Sequence, residues 1–150
     1  ERHSFQKISG NITSEGLVNV TIDLDSVNTK IPIRDERMRN LFFETKIFPN
    51  AIFSAQIPTA DLYFESEHFR TVKINGQLNL HGIEAELKSR LIVLNNDKTL
   101  RVITNYPLLI TAEDFNLTEG VAKLQKIAGL DAISSIVPVI LDLVFLESKD

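Results

Sequence analysis

Thr71-Val72-Lys73-Ile74-Asn75-Gly76-Gln77-Leu78-Asn79-Leu80, then His81-Gly82, then Ile83-Glu84-Ala85-Glu86-Leu87-Lys88-Ser89-Arg90-Leu91-Ile92-Val93, is the stretch on which the fold turns. In its first half Val72, Ile74, Gly76, Leu78 and Leu80 alternate with Thr71, Lys73, Asn75, Gln77 and Asn79. A period of two belongs to a strand with one dry face and one wet face. His81-Gly82 is a two-residue link in which glycine accepts positive φ. Beyond it Ile83, Ala85, Leu87, Ser89, Leu91 and Val93 carry the apolar face back. The stretch predicts a long antiparallel hairpin.

The same alternation recurs on both sides. Upstream, Phe5 to Ile12 reads as a first strand closed by Ser14-Glu15-Gly16. Val18, Val20, Ile22 and Leu24 oppose Asn19, Thr21, Asp23 and Asp25, and Ala51, Phe53, Ala55 and Ile57 mark a third strand. Downstream, Asn95-Asn96-Asp97-Lys98 is a turn, and Leu100, Val102, Thr104 and Tyr106 alternate with Arg101, Ile103 and Asn105. Val137, Val139, Leu141, Leu143 and Phe145 form a last face, and Pro58 to Phe69 reads as a long loop. Seven strands are expected in all.

Two helical segments interrupt them. The first spans residues 32 to 43, with Pro32 suited to a first turn, Met38, Leu41 and Phe42 on one side, and Asp35 and Arg39 a turn apart on the other. The second runs from about Thr118 to Ala128, with Val121, Leu124 and Ile127 as its apolar stripe, Glu119 paired to Lys123, and Gly129 as its stop. Neither is long enough to be stable alone, so both must dock on the sheet. Successive antiparallel strands with short turns, each apolar on one face, form a meander that curls into a barrel or folds as a sandwich. The first helix would cover one end. Ala51, Ala55, Gly76, Ala85, Ser89 and Thr104 fall on inward faces, and small groups there leave room inside.

A chain of 150 residues is read as a single domain, residues 1 to 150, able to bury a core without staples. It has no cysteine, which removes disulfides and thiol chemistry, and its formal net charge of -4 argues against a nucleic-acid partner. No run of apolar residues is long enough for a transmembrane helix. The chain starts at Glu1 rather than Met, which fits a processed product that has lost a signal peptide.

Taken in order, several elements resemble the YceI-like family of bacterial lipocalin-like proteins. They are the Phe5 to Gly10 strand, Val20-Thr21-Ile22-Asp23-Leu24 followed by Ser26-Val27-Asn28-Thr29, and the Arg34-Asp35 helix running into Phe42-Phe43-Glu44. Phe48-Pro49, Leu78-Asn79-Leu80-His81-Gly82 and the Phe115 segment complete them. The resemblance implies an all-β, up-and-down antiparallel lipocalin-like barrel of eight strands. It also implies a long isoprenoid chain inside, such as that of a quinone or polyprenyl lipid, export to the periplasm or beyond, and homodimers. One departure is plain: the family's first strand, before Phe5, is missing, so an N-terminal extension by one strand is expected.

An interior lined by Val, Leu and Phe suits a packed core and a lipid tunnel equally; the small inward residues and the resemblance favour the tunnel. Its expected lining is Met38, Phe42, Phe53, Leu78, Leu80, Leu91, Val102, Tyr106, Leu141 and Leu143. Arg34, Asp35 and His81 are candidates for contact with a head group at the mouth, against the plainer readings of a solvated helix face with an Asp35 to Arg39 pair and a solvated turn histidine. Asp23 and Asp25 read as solubilising. The glycosylation patterns at Asn11 and Asn116 read as chance. His3, His68 and His81 are too scattered for a metal site, and no Gly-x-Ser-x-Gly or phosphate-cradling loop occurs. The expectation is a non-enzyme without cofactor that carries or sequesters a hydrophobic molecule. The alternative is a structural or stress-related interaction protein whose barrel is filled by side chains.

Overall fold

The computed structural model describes residues 2–65, 68–96 and 98–147. Asp97, within the expected 95–98 turn, and two residues of the expected 58–69 loop lie outside that set. The dominant element is the anticipated hairpin, β6 (Phe69–Leu80) and β7 (Ile83–Asn96), in unbroken antiparallel register from Phe69 opposite Leu94 to Leu80 opposite Ile83. Both link residues take positive φ, His81 at 55° and Gly82 at 76°. Two left-handed residues in succession are what a tight hairpin turn requires. Gly82 meets a second demand, since a Cβ there would stand 2.7 Å from the Phe48 ring.

The other strands are β1 (Ser4–Phe5), β2 (Ile8–Ile12), β3 (Leu17–Asp23), β4 (Val27–Asn28), β5 (Asn50–Gln56), β8 (Thr99–Thr104), β9 (Leu108–Thr111), β10 (Ile136–Val139) and β11 (Asp142–Leu146). Seven of them form one sheet in the order β11-β8-β7-β6-β5-β3-β2. Its two end strands approach each other, so the sheet curls into a nearly closed barrel. Inward residues of neighbouring strands, among them Val20, Phe53, Leu78, Leu91, Val93 and Val102, belong to one buried cluster.

Two expected strands are each divided. Phe5 to Ile12 breaks at Gln6 and Lys7, whose backbone N–H groups donate to the Ser26 hydroxyl at 3.1 and 3.0 Å. The break lets β1 pair with β4 while β2 pairs with β3. Val137 to Phe145 breaks at Ile140 and Leu141. Here β10 forms a two-stranded ribbon with β9, and β11 joins β8. Pro138, with no N–H to donate, sits in that ribbon rather than in the main sheet. The strand expected to reach Asp25 stops at Asp23, whose carboxylate accepts the Asp25 N–H at 3.0 Å and starts a 3-10 turn.

The first helical segment has the expected bounds but two geometries: α1 (Pro32–Arg37) runs into a π-helical stretch, Met38–Phe43, that ends at Glu44 with φ 53°. The second, α2 (Thr118–Ala128), ends at Gly129, and the Glu119 to Lys123 pair is present at 3.6 Å. α2 packs on the π-helical stretch and on a 3-10 turn, Ala112–Phe115. The helices gather at one end of the barrel. Among the described residues no helix is long and apolar enough to cross a membrane.

Candidate functional site

The barrel interior is where the expected lining residues other than Tyr106 meet, and its two sides differ. Phe53 on β5, Leu78 and Leu80 on β6, Leu91 on β7 and Val102 on β8 are almost fully buried in the central cluster. They form a packed floor. Met38 and Phe42 under the helical segment, and Leu143 on β11, are partly buried against that cluster, and Leu141 is half-buried. They form a wall that keeps accessible apolar surface.

The wall extends beyond the residues that the sequence singled out. Ile83, Ala85 and Leu87 on β7, Ile110 on β9, Val121 on α2 and Phe145 on β11 are also partly buried apolar groups packed on the core. The alternation of β7 already placed Ile83, Ala85 and Leu87 inward. What alternation lacks is the distance to the opposite wall, so it does not separate a packed side chain from an accessible one.

The expectation that small inward residues leave room holds on one side only. Opposite β5, Gly76 leaves a gap that the Phe53 ring fills, for a Cβ on Gly76 would lie 2.4 and 2.6 Å from two ring carbons. Ala51 and Ala55 are buried as well. On β7, by contrast, Ala85 and Ser89 retain accessible surface. Among the small inward positions, accessible surface therefore remains on β7 and not on β5.

Tyr106 is a correction. Alternation along the sequence points it inward, yet it is 66% exposed and shares a groove with Lys73, Lys88, Arg90 and Pro107. β8 ends at Thr104, the Asn105 N–H donates back to the Arg90 carbonyl at 2.8 Å, and the chain then leaves the sheet. Alternation does not survive past the last ladder pair.

His81 also differs from a solvated turn residue. It is buried, with Nδ1 3.0 Å from the Phe115 carbonyl oxygen, Nε2 2.6 Å from Glu44 Oε2, and its ring edge-on to Phe48. Because Glu44 ends the π-helical stretch and Phe115 precedes α2, this histidine fastens the main hairpin to both helical segments. A turn position gave no sign of that, since both partners are distant in sequence.

Arg34 and Asp35 likewise work locally. Asp35 Oδ1 accepts the Thr29 N–H and the Thr29 hydroxyl, each at 2.6 Å, while Arg34 Nη2 donates to the Thr29 carbonyl at 3.0 Å. Arg39 reaches Asp25 at 3.9 Å, and the Thr45 hydroxyl donates to the same carboxylate at 2.9 Å. Asp25, read as solubilising, thus anchors the far end of the helical segment.

The hydrogen bonds from Thr29 hold the Asp35 carboxyl below its ordinary value of 3.8. A carboxyl with a depressed folded-state value stabilises the fold above its unfolded value, and the contribution is lost as pH falls through the folded one. The stability gap between the wild type and Asp35→Asn should accordingly close as pH drops below 3.8. Denaturation midpoints across an acid series measure it; a gap that stays constant would mean these bonds do not matter.

A model of the YceI-like domain matches residues 2–145. Among solved structures, the polyisoprenoid binding domain from Saccharophagus degradans, implicated in plant cell wall breakdown, shares 33% identity and a TM-score of 0.92, covering 97% of this chain and 85% of that one. The Campylobacter jejuni YCEI protein aligns with 17% identity and a TM-score of 0.72, over 99% of this chain and 85% of that one. Burkholderia cenocepacia BcnA aligns with 19% identity and a TM-score of 0.74, over 95% and 86%. These two show the shared fold alone. No curated protein sequence matches. With a curled antiparallel sheet closed at one end by helices, and with the family model spanning nearly its whole length, this chain belongs to the YceI-like domain family.

Proposed function

We propose that this protein binds a long apolar chain, a polyisoprenoid or the tail of an isoprenoid quinone, along the inner wall formed by β7, β11 and the helical segment. The observation that carries the reading is that wall: Ile83, Ala85, Leu87, Phe42 and Leu143 face the interior and pack on the core, yet keep accessible surface. The relative at 33% identity is a polyisoprenoid binding domain, which supports the same ligand class here.

Energetics suit such a ligand. At about 0.8 kcal/mol per buried CH₂, some twenty prenyl carbons contribute roughly 16 kcal/mol gross, close to the ceiling of non-covalent binding before entropy is subtracted. An exposed ion pair contributes only about 0.2–1 kcal/mol. Tail burial sets affinity and the head group sets orientation. Binding of this kind needs no catalysis and no cofactor. Family membership supports a carrier that acts outside the cytoplasm, with two copies pairing as homodimers.

Organic extraction and native mass spectrometry of freshly purified protein test the reading. A co-purifying isoprenoid, or uptake of an added prenol or quinone, is the expected result. A clean extract combined with no uptake would overturn it and favour a barrel filled by its own side chains.

A further inference from the structure

We infer that the groove beside Tyr106 is a head-group site for an anionic prenyl ligand, a prenyl phosphate or diphosphate whose tail lies on the inner wall; this deepens the binding reading above and rests on it. Lys73 on β6, Lys88 and Arg90 on β7, and Tyr106 line the groove. All three cations are exposed on the outward face of the hairpin, and Arg90 stands directly opposite Lys73 in the ladder. Like charges placed opposite each other on a sheet repel. Acidic residues outnumber basic ones in this chain, 20 to 16, so partners are plentiful. Yet among the described residues none of the three has an ion pair, and Glu86, two positions from Lys88 on the same row, forms none with it. Positive charge gathered without an internal partner is the field that an anion needs.

The course of β7 ties this field to the interior. From Leu91 to Leu94 the strand is laddered on both sides, to β6 and to β8. From Ile83 to Ser89 it is laddered to β6 alone, because β8 ends at Thr104 and β9, which continues the chain, pairs with β10 instead. Along that edge no ladder partner separates the outward face of β7 from its inward face. Ser89, on the inward row with Ala85 and Leu87, lines the groove together with the outward cations. A head group held by Lys88 and Arg90 thus stands next to Leu87, where the apolar wall begins. A phosphate monoester brings about -1.5 to -2 charges at pH 7 and three acceptor oxygens, and arginine takes it in a two-pronged contact. A neutral prenol or quinone uses the wall alone, whereas a prenyl phosphate uses wall and groove.

Competition between geranylgeranyl monophosphate and geranylgeraniol, read by extraction and mass spectrometry of the complex, tests the assignment, since the two share one tail. The wild type should prefer the phosphate by about tenfold, the sum of three contacts of exposed-pair strength. Added salt should lower that preference. Lys73→Gln combined with Lys88→Gln and Arg90→Gln should bind the two ligands alike, and because these side chains are exposed the fold is not at stake. Lys126→Gln, on α2, should keep the wild-type preference. Inorganic phosphate at the ligand's own concentration should leave the preference standing; if it abolishes it, the groove takes a free anion rather than a tethered head group, and the inference is overturned. Equal uptake of both ligands by the wild type, or a preference that survives in the triple variant, overturns it as well and leaves the binding reading intact. No uptake of either ligand would instead overturn the binding reading, and this inference with it.

Discussion

Replacing Phe115 by Ala should destabilise the fold by about 3–5 kcal/mol, the usual cost of emptying a fully buried aromatic site. Total domain stability is of order 5–15 kcal/mol, so the variant would lose a large share of it. Phe115 is 1% exposed, belongs to the central cluster, and ends the 3-10 turn that precedes α2. Its backbone carbonyl faces His81 Nδ1, so the cavity would open where the hairpin, the turn and the helical end meet. Urea unfolding monitored by circular dichroism gives the difference directly. Leu146→Ala, at a side chain 78% exposed, should change stability by less than about 0.5 kcal/mol and serves as the reference. Equal effects from the two would show that the core is centred elsewhere.

Ala85→Trp should reduce prenol uptake more than a hundredfold while costing less stability than overpacking a filled core, which is about 1–3 kcal/mol. Ala85 faces the interior opposite Leu78, on the side where accessible apolar surface remains. An indole there displaces several ligand carbons. Four CH₂ groups at about 0.8 kcal/mol each amount to roughly 3 kcal/mol, or two orders of magnitude in affinity. The neighbouring Glu86 lies on the outward face, so Glu86→Trp should leave uptake unchanged. Prenol titrations of both variants decide the matter. Undiminished binding by Ala85→Trp would place the ligand outside the barrel.

The Thr71 to Val93 stretch shows what local pattern determines: alternation, strand direction, and a turn that needs left-handed residues were all legible there. The bounds of both helical segments were legible too, because Pro32 and Gly129 are local signals. The π-helical geometry of Met38–Phe43 was not, and neither was the division of the first and last strands. Those breaks depend on Ser26 capturing the Gln6 and Lys7 amides, and on β9 being present to pair with β10. The partners are far away in sequence.

The site divides in the same way. Within the strand ladders the sequence by itself determined which side chains face inward, because the period of a strand is set by its own backbone. It determined equally that the interior is apolar with a few small positions. Only the tertiary structure decided that Phe53 fills the gap at Gly76, that Ala85 borders open wall, that Tyr106 lies outside, and that His81 is a buried clasp between Glu44 and Phe115. Facing is a property of one strand, whereas room and polar partnership depend on what other segments bring to the same place.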